Sequence, residues 1–193
     1  MATTDQRSRR KGSRAPSART RTQSGRGTPG TSEADVSAHS LTEAISVIES
    51  FVSAFEPGRY CGDDAALLVE QFTRGEHLCA TGKALSAKRA TQTEQHKRDG
   101  SRSAAQWLSR QTGESQGSAA DSLRLAERME DHPGLGEALR SGELSLTRAR
   151  QVADVLAVDP ESESELVEAA RDRNETNRQL ADRCLRAKAR ARS

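Results

Sequence analysis

The chain has 193 residues and a formal net charge of +2, with 33% hydrophobic, 3% aromatic and 30% charged residues. No apolar run approaches the roughly 20 residues that a membrane span requires, so this composition excludes a membrane-spanning protein. The length fits one domain plus a tail. Because aromatic residues are scarce, we expect a core of Leu, Ala and Val between amphipathic helices with solvated outer faces.

The first 38 residues form an Arg- and Ser-rich segment that we predict to be a disordered basic arm. No Val, Ile, Leu, Phe, Tyr or Trp precedes Val36, so the segment cannot bury enough apolar surface to offset the entropy of ordering. It also lacks the apolar core of a signal peptide. Residues 1–30 contain eight Lys or Arg residues and one acid, Asp5, a net charge of +7. Two interpretations stay open: a polybasic arm that binds phosphates, and a solvated tail that aids solubility.

Two amphipathic helices are predicted next. The first begins at Ser40, which has capping-box spacing with Glu43, and it ends before Pro57. The second is the longest and extends from the Asp63-Asp64 pair to Gln92. One face of this second helix carries small side chains that would admit another helix at close range. Its members are Gly75, Cys79, Gly82 and Ser86.

A helix, a tight turn and a second helix are predicted around the only Trp. The first helix covers 103–112, Gly113 supplies the left-handed residue that ends it, and Ser115 caps the second helix, which reaches about Glu130. This spacing is compatible with a DNA-reading helix-turn-helix. However, residues 114–131 contain five acids and two bases, and a segment with a net charge of −3 is poorly suited to a phosphate-lined groove. We therefore favour packing of the two helices in a bundle.

Four further helices complete the predicted fold. They begin at Pro133, after the Ser145 cap, at Glu161 and after the Thr176 cap. The last helix is basic, since residues 171–192 have a net charge of +5. The sequence thus predicts an all-α compact domain of six to eight helices, one of them long, over residues 39–193. Three separated cysteines without a CxxC pair indicate neither a disulfide framework nor a zinc site, and favour a cytoplasmic location.

Four segments of the chain resemble a known family: EPGRYCGDDAALLVEQF, GKALSAKR, SAAQWLSRQTGESQGSAADSLRLAERM and LRSGELSLTRARQVADVL. Together they are similar to the actinobacterial helical domain of unknown function number two hundred and twenty-two, also called the thirteen-E-twelve repeat. The resemblance covers about residues 41–185. In that family the helical region usually precedes a C-terminal HNH nuclease module, so the resemblance implies an association with HNH endonucleases.

The residues of an HNH module have no match here. Such a module needs a His that activates water and further ligands for a divalent metal. The four histidines, His39, His77, His96 and His132, are scattered, and none follows His132. We therefore assign no catalytic residue, no metal and no other cofactor, and we identify no small-molecule substrate. The sequence suggests a stand-alone or truncated form that lacks the nuclease centre.

Three functional hypotheses follow. The favoured one is a non-catalytic nucleic-acid-associated helical module that binds through phosphate contacts. The second is a protein-interaction module that docks through the small-residue face of helix two, and the third is an HNH-type endonuclease, as the family association suggests. The candidate phosphate-binding residues of the favoured hypothesis belong to the arm, to the segment before Trp107 and to the last helix: Arg7, Arg9, Arg10, Lys11, Arg14, Lys97, Arg98, Arg102, Arg183, Arg186 and Lys188.

Overall fold

The computed structural model describes the backbone of residues 33–192 and the side chains of residues 38–192. None of the described residues lies in a β-strand, and the described part contains nine α-helices, so the all-α prediction is confirmed. The helices are α1 (Glu33–Ser53), α2 (Gly62–Gln92), α3 (Gln95–Arg98), α4 (Ala104–Thr112), α5 (Gln116–Asp131), α6 (Pro133–Arg140), α7 (Leu146–Leu156), α8 (Glu163–Arg171) and α9 (Asn177–Arg190). The eight predicted helices are all present. The additional one is α3, a single turn.

The chain divides into two compact units, residues 1–55 and residues 56–193. Residues 1–32 of the predicted disordered arm lie outside the described residues. Within the first unit, α1 begins at Glu33, so the predicted start at Ser40 is wrong. Segment 33–39 contains neither Pro nor Gly, and nothing in it prevents the helix from starting earlier. The apolar residues Leu41, Ile45 and Ile48 of α1 are exposed.

The core of the second unit is built around α7, which packs against α5, α6, α8 and α9. Its largest fully buried side chains are aliphatic, as the composition predicts: Leu125, Leu135, Leu139, Leu144, Leu156, Leu166, Leu180, Val152 and Val155. The helical spacing of five residues in the sequence predicts a buried stripe on α5. All five are buried: Ala119, Ser122, Leu123, Ala126 and Met129. Trp107 lies apart from this core and packs against a smaller cluster formed by Ala87, Leu108, Ala119 and Leu123.

Only the C-terminal half of α2 is buried in the second unit. Its buried residues are Thr81, Ala84, Ala87 and Lys88, whereas Leu67 and Leu78 in the preceding turns are exposed. The buried side chains of α2 are therefore confined to its C-terminal half. Thr81 Oγ1 donates to the carbonyl of Leu139 at 3.2 Å, and this bond joins α2 to α6.

The turn between α4 and α5 has the predicted caps. Ser103 Oγ and Ser115 Oγ accept backbone N–H bonds from Gln106 and Ser118, and Gly113 has a φ of 74°. The two helices pack against each other, and α5 also packs against α2. These are bundle contacts, as predicted for this pair.

Glu114 ties this turn to α2. Its carboxylate pairs with Lys83 of α2 and accepts a hydrogen bond from Ser118 Oγ at 3.0 Å. The hydrogen bond from Lys83 lowers the pKa of the Glu114 carboxyl below its ordinary value of 4.5, and the bond from Ser118 acts in the same direction. The ionised carboxylate therefore stabilises the folded state.

Glu114→Gln is expected to lower the free energy of unfolding at pH 7 by about 0.5–1 kcal/mol, the range of a partly exposed ion pair. A lowered carboxyl pKa contributes stability above the unfolded pKa, and that contribution is lost as the pH falls through the folded pKa. Urea denaturation of wild type and variant at pH 7 and at pH 3 checks this expectation. Glu137→Gln, at an exposed carboxylate of α6, is the control. A difference that persists unchanged at pH 3 would contradict an electrostatic origin.

Candidate nucleic-acid interface

Helix α9 presents the basic residues of the C-terminal segment because its opposite side is buried. Thr176 and Gln179 form a capping box at its start, and Leu180, Cys184 and Ala187 are buried. That stripe packs α9 against α7 and α8. Leu185 does not belong to this stripe, since its side chain is 65% exposed. It lies on the side of α9 that faces away from the core.

The three candidate residues of α9 do not share one flank. Arg183 and Arg186 are exposed and one turn apart, whereas Lys188 is half-buried. Each residue advances an α-helix by about 100°, so Lys188 lies about 200° around the axis from Arg186. Arg190 follows Arg183 by two turns and lies on the same flank. The basic flank of α9 is therefore formed by Arg183, Arg186 and Arg190.

Carboxylates compensate part of this charge. Arg183 Nε lies 2.7 Å from Glu175 Oε1, and Arg190 pairs with Glu165 at 3.2 Å. The Glu175 carboxylate raises the pKa of the Arg183 guanidinium above its ordinary value. Arg186 and Lys188 form no ion pair with another described residue. Arg178, in the first turn of α9, is likewise exposed and without an ion pair in the described part of the chain.

The second group of candidate residues lies in α3 and in the segment that follows it. Lys97 pairs with Glu94, and this hydrogen bond lowers the pKa of the Glu94 carboxyl. Arg98 and Arg102 are exposed and form no ion pair with a described residue. The backbone N–H of Arg102 donates to Gln106 Oε1 at 2.8 Å. This bond fixes the backbone of Arg102 at the entrance to α4.

Trp107 stabilises the same segment. Its Nε1–H donates to Asp99 Oδ2 at 2.7 Å, which ties α4 to the C-terminal end of α3. The ring is half-buried and packs against the Leu108 cluster. A ring held in this way is a structural anchor rather than a stacking platform for bases.

The structure does not combine the candidate residues into one surface. Helix α3 packs against α2, while α9 packs against α7 and α8. The five arm residues, Arg7, Arg9, Arg10, Lys11 and Arg14, lie outside the described residues. The described part therefore contributes two separate basic groups, one near α3 and one on α9.

A cluster of arginines between α2 and α7 escaped the sequence analysis. It lines a cleft of about 650 Å³ whose charged residues are Arg74, His77, Arg148, Arg171 and Arg173, together with Glu70, Glu143 and Glu168. We call it the arginine cleft. Its bases come from positions up to 99 residues apart in sequence, so no local pattern could have found them. The one available signal was the RAR triplet at 148–150, inside a segment that resembles the family.

Hydrogen bonds and ion pairs hold most of these side chains in place. Arg74 Nε–H donates to the carbonyl of Ser141 at 3.1 Å, and His77 Nδ1 lies 3.1 Å from the carbonyl of Gly142. A carbonyl can only accept, so His77 Nδ1 carries the hydrogen. Arg148 donates to the carbonyls of Asp172 and Glu175 at 3.1 and 2.6 Å. The cleft is thus built where the helix α2, the α6–α7 turn and the α8–α9 connection meet.

Among residues 38–192, no group of three or more His, Cys, Asp or Glu side chains is placed to hold a metal ion. His77 Nδ1 is hydrogen-bonded to the carbonyl of Gly142, whereas Cys79, less than one turn away, is exposed. The same part of the chain has no helix with the length and apolar character of a membrane span.

The three cysteines are free and differ in environment. Cys61 and Cys79 are exposed, whereas Cys184 is buried in α9. Burial raises the pKa of the Cys184 thiol, which keeps it protonated and unreactive at neutral pH. Labelling of the native protein with a thiol reagent at pH 7.5 is therefore expected to modify two thiols rapidly and the third only after denaturation. Cys184→Ser should leave the fast phase unchanged. Three thiols reacting at one rate would contradict the burial of α9.

Comparisons with protein-family models, with curated proteins and with solved structures found no match to this chain.

Proposed function

We propose that this protein is a non-catalytic, nucleic-acid-associated helical module of the HNH-endonuclease-associated family that its sequence resembles. The observation that supports the proposal is the presence on α9 of Arg186 and Lys188, two cations without a carboxylate partner in the described part of the chain. Phosphates attract such cations without regard to base sequence. The basic composition of residues 1–30 adds sequence-level support, with its net charge of +7.

The test is the salt dependence of binding to a fluorescent duplex of about two helical turns. Each phosphate contact contributes about 0.9 to the slope of log K against log salt. Because Arg186 and Lys188 lie on nearly opposite sides of α9, a duplex contacts one of them at a time, and Arg186→Gln/Lys188→Gln is expected to reduce the slope by about 0.9 units. Replacing the five arm residues with Gln is expected to reduce it by up to about 4.5 units.

The matched control is Arg89→Gln/Arg140→Gln, which removes the same charge from α2 and α6. Both residues are exposed and outside the proposed contacts. The control should bind as the wild type does. Absence of duplex binding by the wild type at low salt, or equal losses in the control and the α9 variant, would overturn the proposal. Supercoiled plasmid incubated with Mg²⁺ is expected to remain intact, and cleavage by a clean preparation would instead support the endonuclease hypothesis.

A protein-interaction role for α2 is the second candidate, and the open small-residue face of that helix favours it. Gly75 and Gly82 have no heavy atom within 4 Å of the position that a Cβ would occupy, and Cys79 between them is exposed. A partner helix could approach this face closely. Gly75→Leu/Gly82→Leu would block that approach. Loss of a dimer in a mass measurement, or of a co-purified partner, would support the interaction, and an unchanged monomer for both proteins would refute it.

A further inference from the structure

We infer that the arginine cleft is a binding site for a phosphate monoester, a site separate from the proposed nucleic-acid contacts of the arm, α3 and α9. Its volume of about 650 Å³ lies within the range of small-ligand pockets, about 300–1,000 Å³. The cleft belongs entirely to the second unit of the chain. Its walls are formed by residues whose positions the hydrogen bonds described above already fix.

The charge of the cleft favours an anion. Two of its carboxylates are neutralised, because Arg171 Nε lies 3.0 Å from Glu143 and Arg173 lies 2.8 Å from Glu70. Arg74 and Arg148 have no carboxylate partner among the described residues, and the cleft's remaining carboxylate, Glu168, has no paired base there. The net charge is therefore +1 with His77 neutral.

Arg74 supplies the available donors. It is exposed, and its Nε–H is used by Ser141, while its two terminal nitrogens form no hydrogen bond within the described part. A planar guanidinium that presents both terminal nitrogens matches the oxygens of a phosphate in a bidentate manner. The stem of Arg74 passes close to the α6–α7 turn, since its Cγ lies 3.0 Å from the position that a Cβ would occupy on Gly142.

The N-terminal end of α7 also favours the binding of an anion. Ser145, the N-cap of this 11-residue helix, lines the cleft and accepts the backbone N–H of Arg148. The N-terminal end of a helix carries a partial positive charge that attracts phosphates. The anion is thus placed between the guanidinium of Arg74 and the first turn of α7. The remaining volume accommodates the organic part of the ester beside Val69 of α2.

The experiment is calorimetric titration of the full chain with inorganic phosphate, adenosine 5′-monophosphate and adenosine. The two phosphates are expected to bind saturably, whereas adenosine should not bind. Arg74→Gln is expected to weaken phosphate binding about tenfold or more, because a bidentate charge-assisted contact is lost. Thr73→Glu is the second variant. It places a carboxylate in the cleft at an exposed position of α2, keeps every arginine, and should abolish binding.

Arg89→Gln, at an exposed position of α2 about four turns from Arg74, is the control and should bind phosphate as the wild type does. A duplex with a 5′-phosphate, compared with the same duplex with a 5′-hydroxyl, identifies the source of the ester. A preference for the phosphorylated end supports a polymer terminus, and binding of the mononucleotide alone supports a free small molecule. Absence of saturable binding up to about 10 mM phosphate, above the Kd of weak ligands, or equal binding by Thr73→Glu, would overturn the inference.

Discussion

Gly142→Ala is expected to lower the free energy of unfolding by about 2–4 kcal/mol, the sum of backbone strain and overpacking. Gly142 follows the end of α6 with a φ of +75°, a conformation that costs an L-residue more than it costs glycine. A Cβ here would lie 2.8 Å from Leu78 Cγ and 3.1 Å from the carbonyl oxygen of Arg74. Because α2 is a long, continuous helix, its backbone cannot retreat locally.

The midpoint of thermal unfolding is expected to fall by roughly 4–16 °C, since 1 kcal/mol shifts Tm by about 2–4 °C in a domain of this size. Two glycines of the same chain serve as controls. Gly113→Ala, with a φ of +74° and open space around its Cβ position, isolates the backbone strain and should cost about 1 kcal/mol. Gly82→Ala, inside α2 with no neighbour within 4 Å, should stabilise the protein by about 0.5–1 kcal/mol.

Equal destabilisation by Gly142→Ala and Gly113→Ala would show that α2 tolerates the added methyl group, against the packing described. A larger effect of Gly142→Ala confirms that the α6–α7 turn is pressed against α2. The arginine cleft should respond in parallel, because Arg74 and His77 contact Ser141 and Gly142 of this turn. Weakened phosphate binding by Gly142→Ala would therefore connect the fold to the proposed site.

Local signals made much of the fold predictable from the sequence. Ser103, Ser115, Ser145 and Thr176 each accept a backbone N–H at the start of a helix, and a cap of this kind depends only on residues within one turn. The buried stripes of α5, α7 and α8 are predictable for a similar reason. Helices that pack on one side leave a period of 3.6 residues in the sequence.

The positions that escaped prediction depend on the surroundings of a helix rather than on its own pattern. Leu67, Leu78 and Leu185 have the spacing of buried residues, yet each is exposed. An apolar period shows that a face is suited to burial but not that a partner covers it. The start of α1 was missed because residues 33–39 lack the marked cap that identifies the other helices.

The candidate sites are less predictable from the sequence than the helices are. Composition identified basic segments, but it could not show that Arg183 is paired with Glu175 while Arg186 has no such partner. The arginine cleft depends on bases from α2, α7, α8 and the α8–α9 connection. Only the packing of α2 against α6 and α7 brings these residues together, and that packing has no signature within a short window of sequence.

Leu139→Ala is expected to lower the free energy of unfolding by about 3–4 kcal/mol, within the range of about 2–5 kcal/mol for buried Leu-to-Ala changes. Leu139 is fully buried in the cluster that joins α5, α6, α7, α8 and α9. Thr81 of α2 also donates to its carbonyl, so the surrounding backbone is held in place and cannot close the cavity completely. Because the cavity left by the side chain closes only in part, we expect the loss of unfolding free energy to exceed the lower end of this range.

Urea denaturation measures this effect, with the midpoint falling and the slope m unchanged if the folded and unfolded states are otherwise the same. Leu185→Ala is the matched control, because the same side chain is removed where it is 65% exposed. It should change stability by no more than about 0.5 kcal/mol. Comparable losses for the two variants would mean that a partner covers the outer side of α9 in solution. In that case the basic flank of α9 would be less accessible to phosphates, and the proposed nucleic-acid contacts would have to come from the arm and the α3 segment.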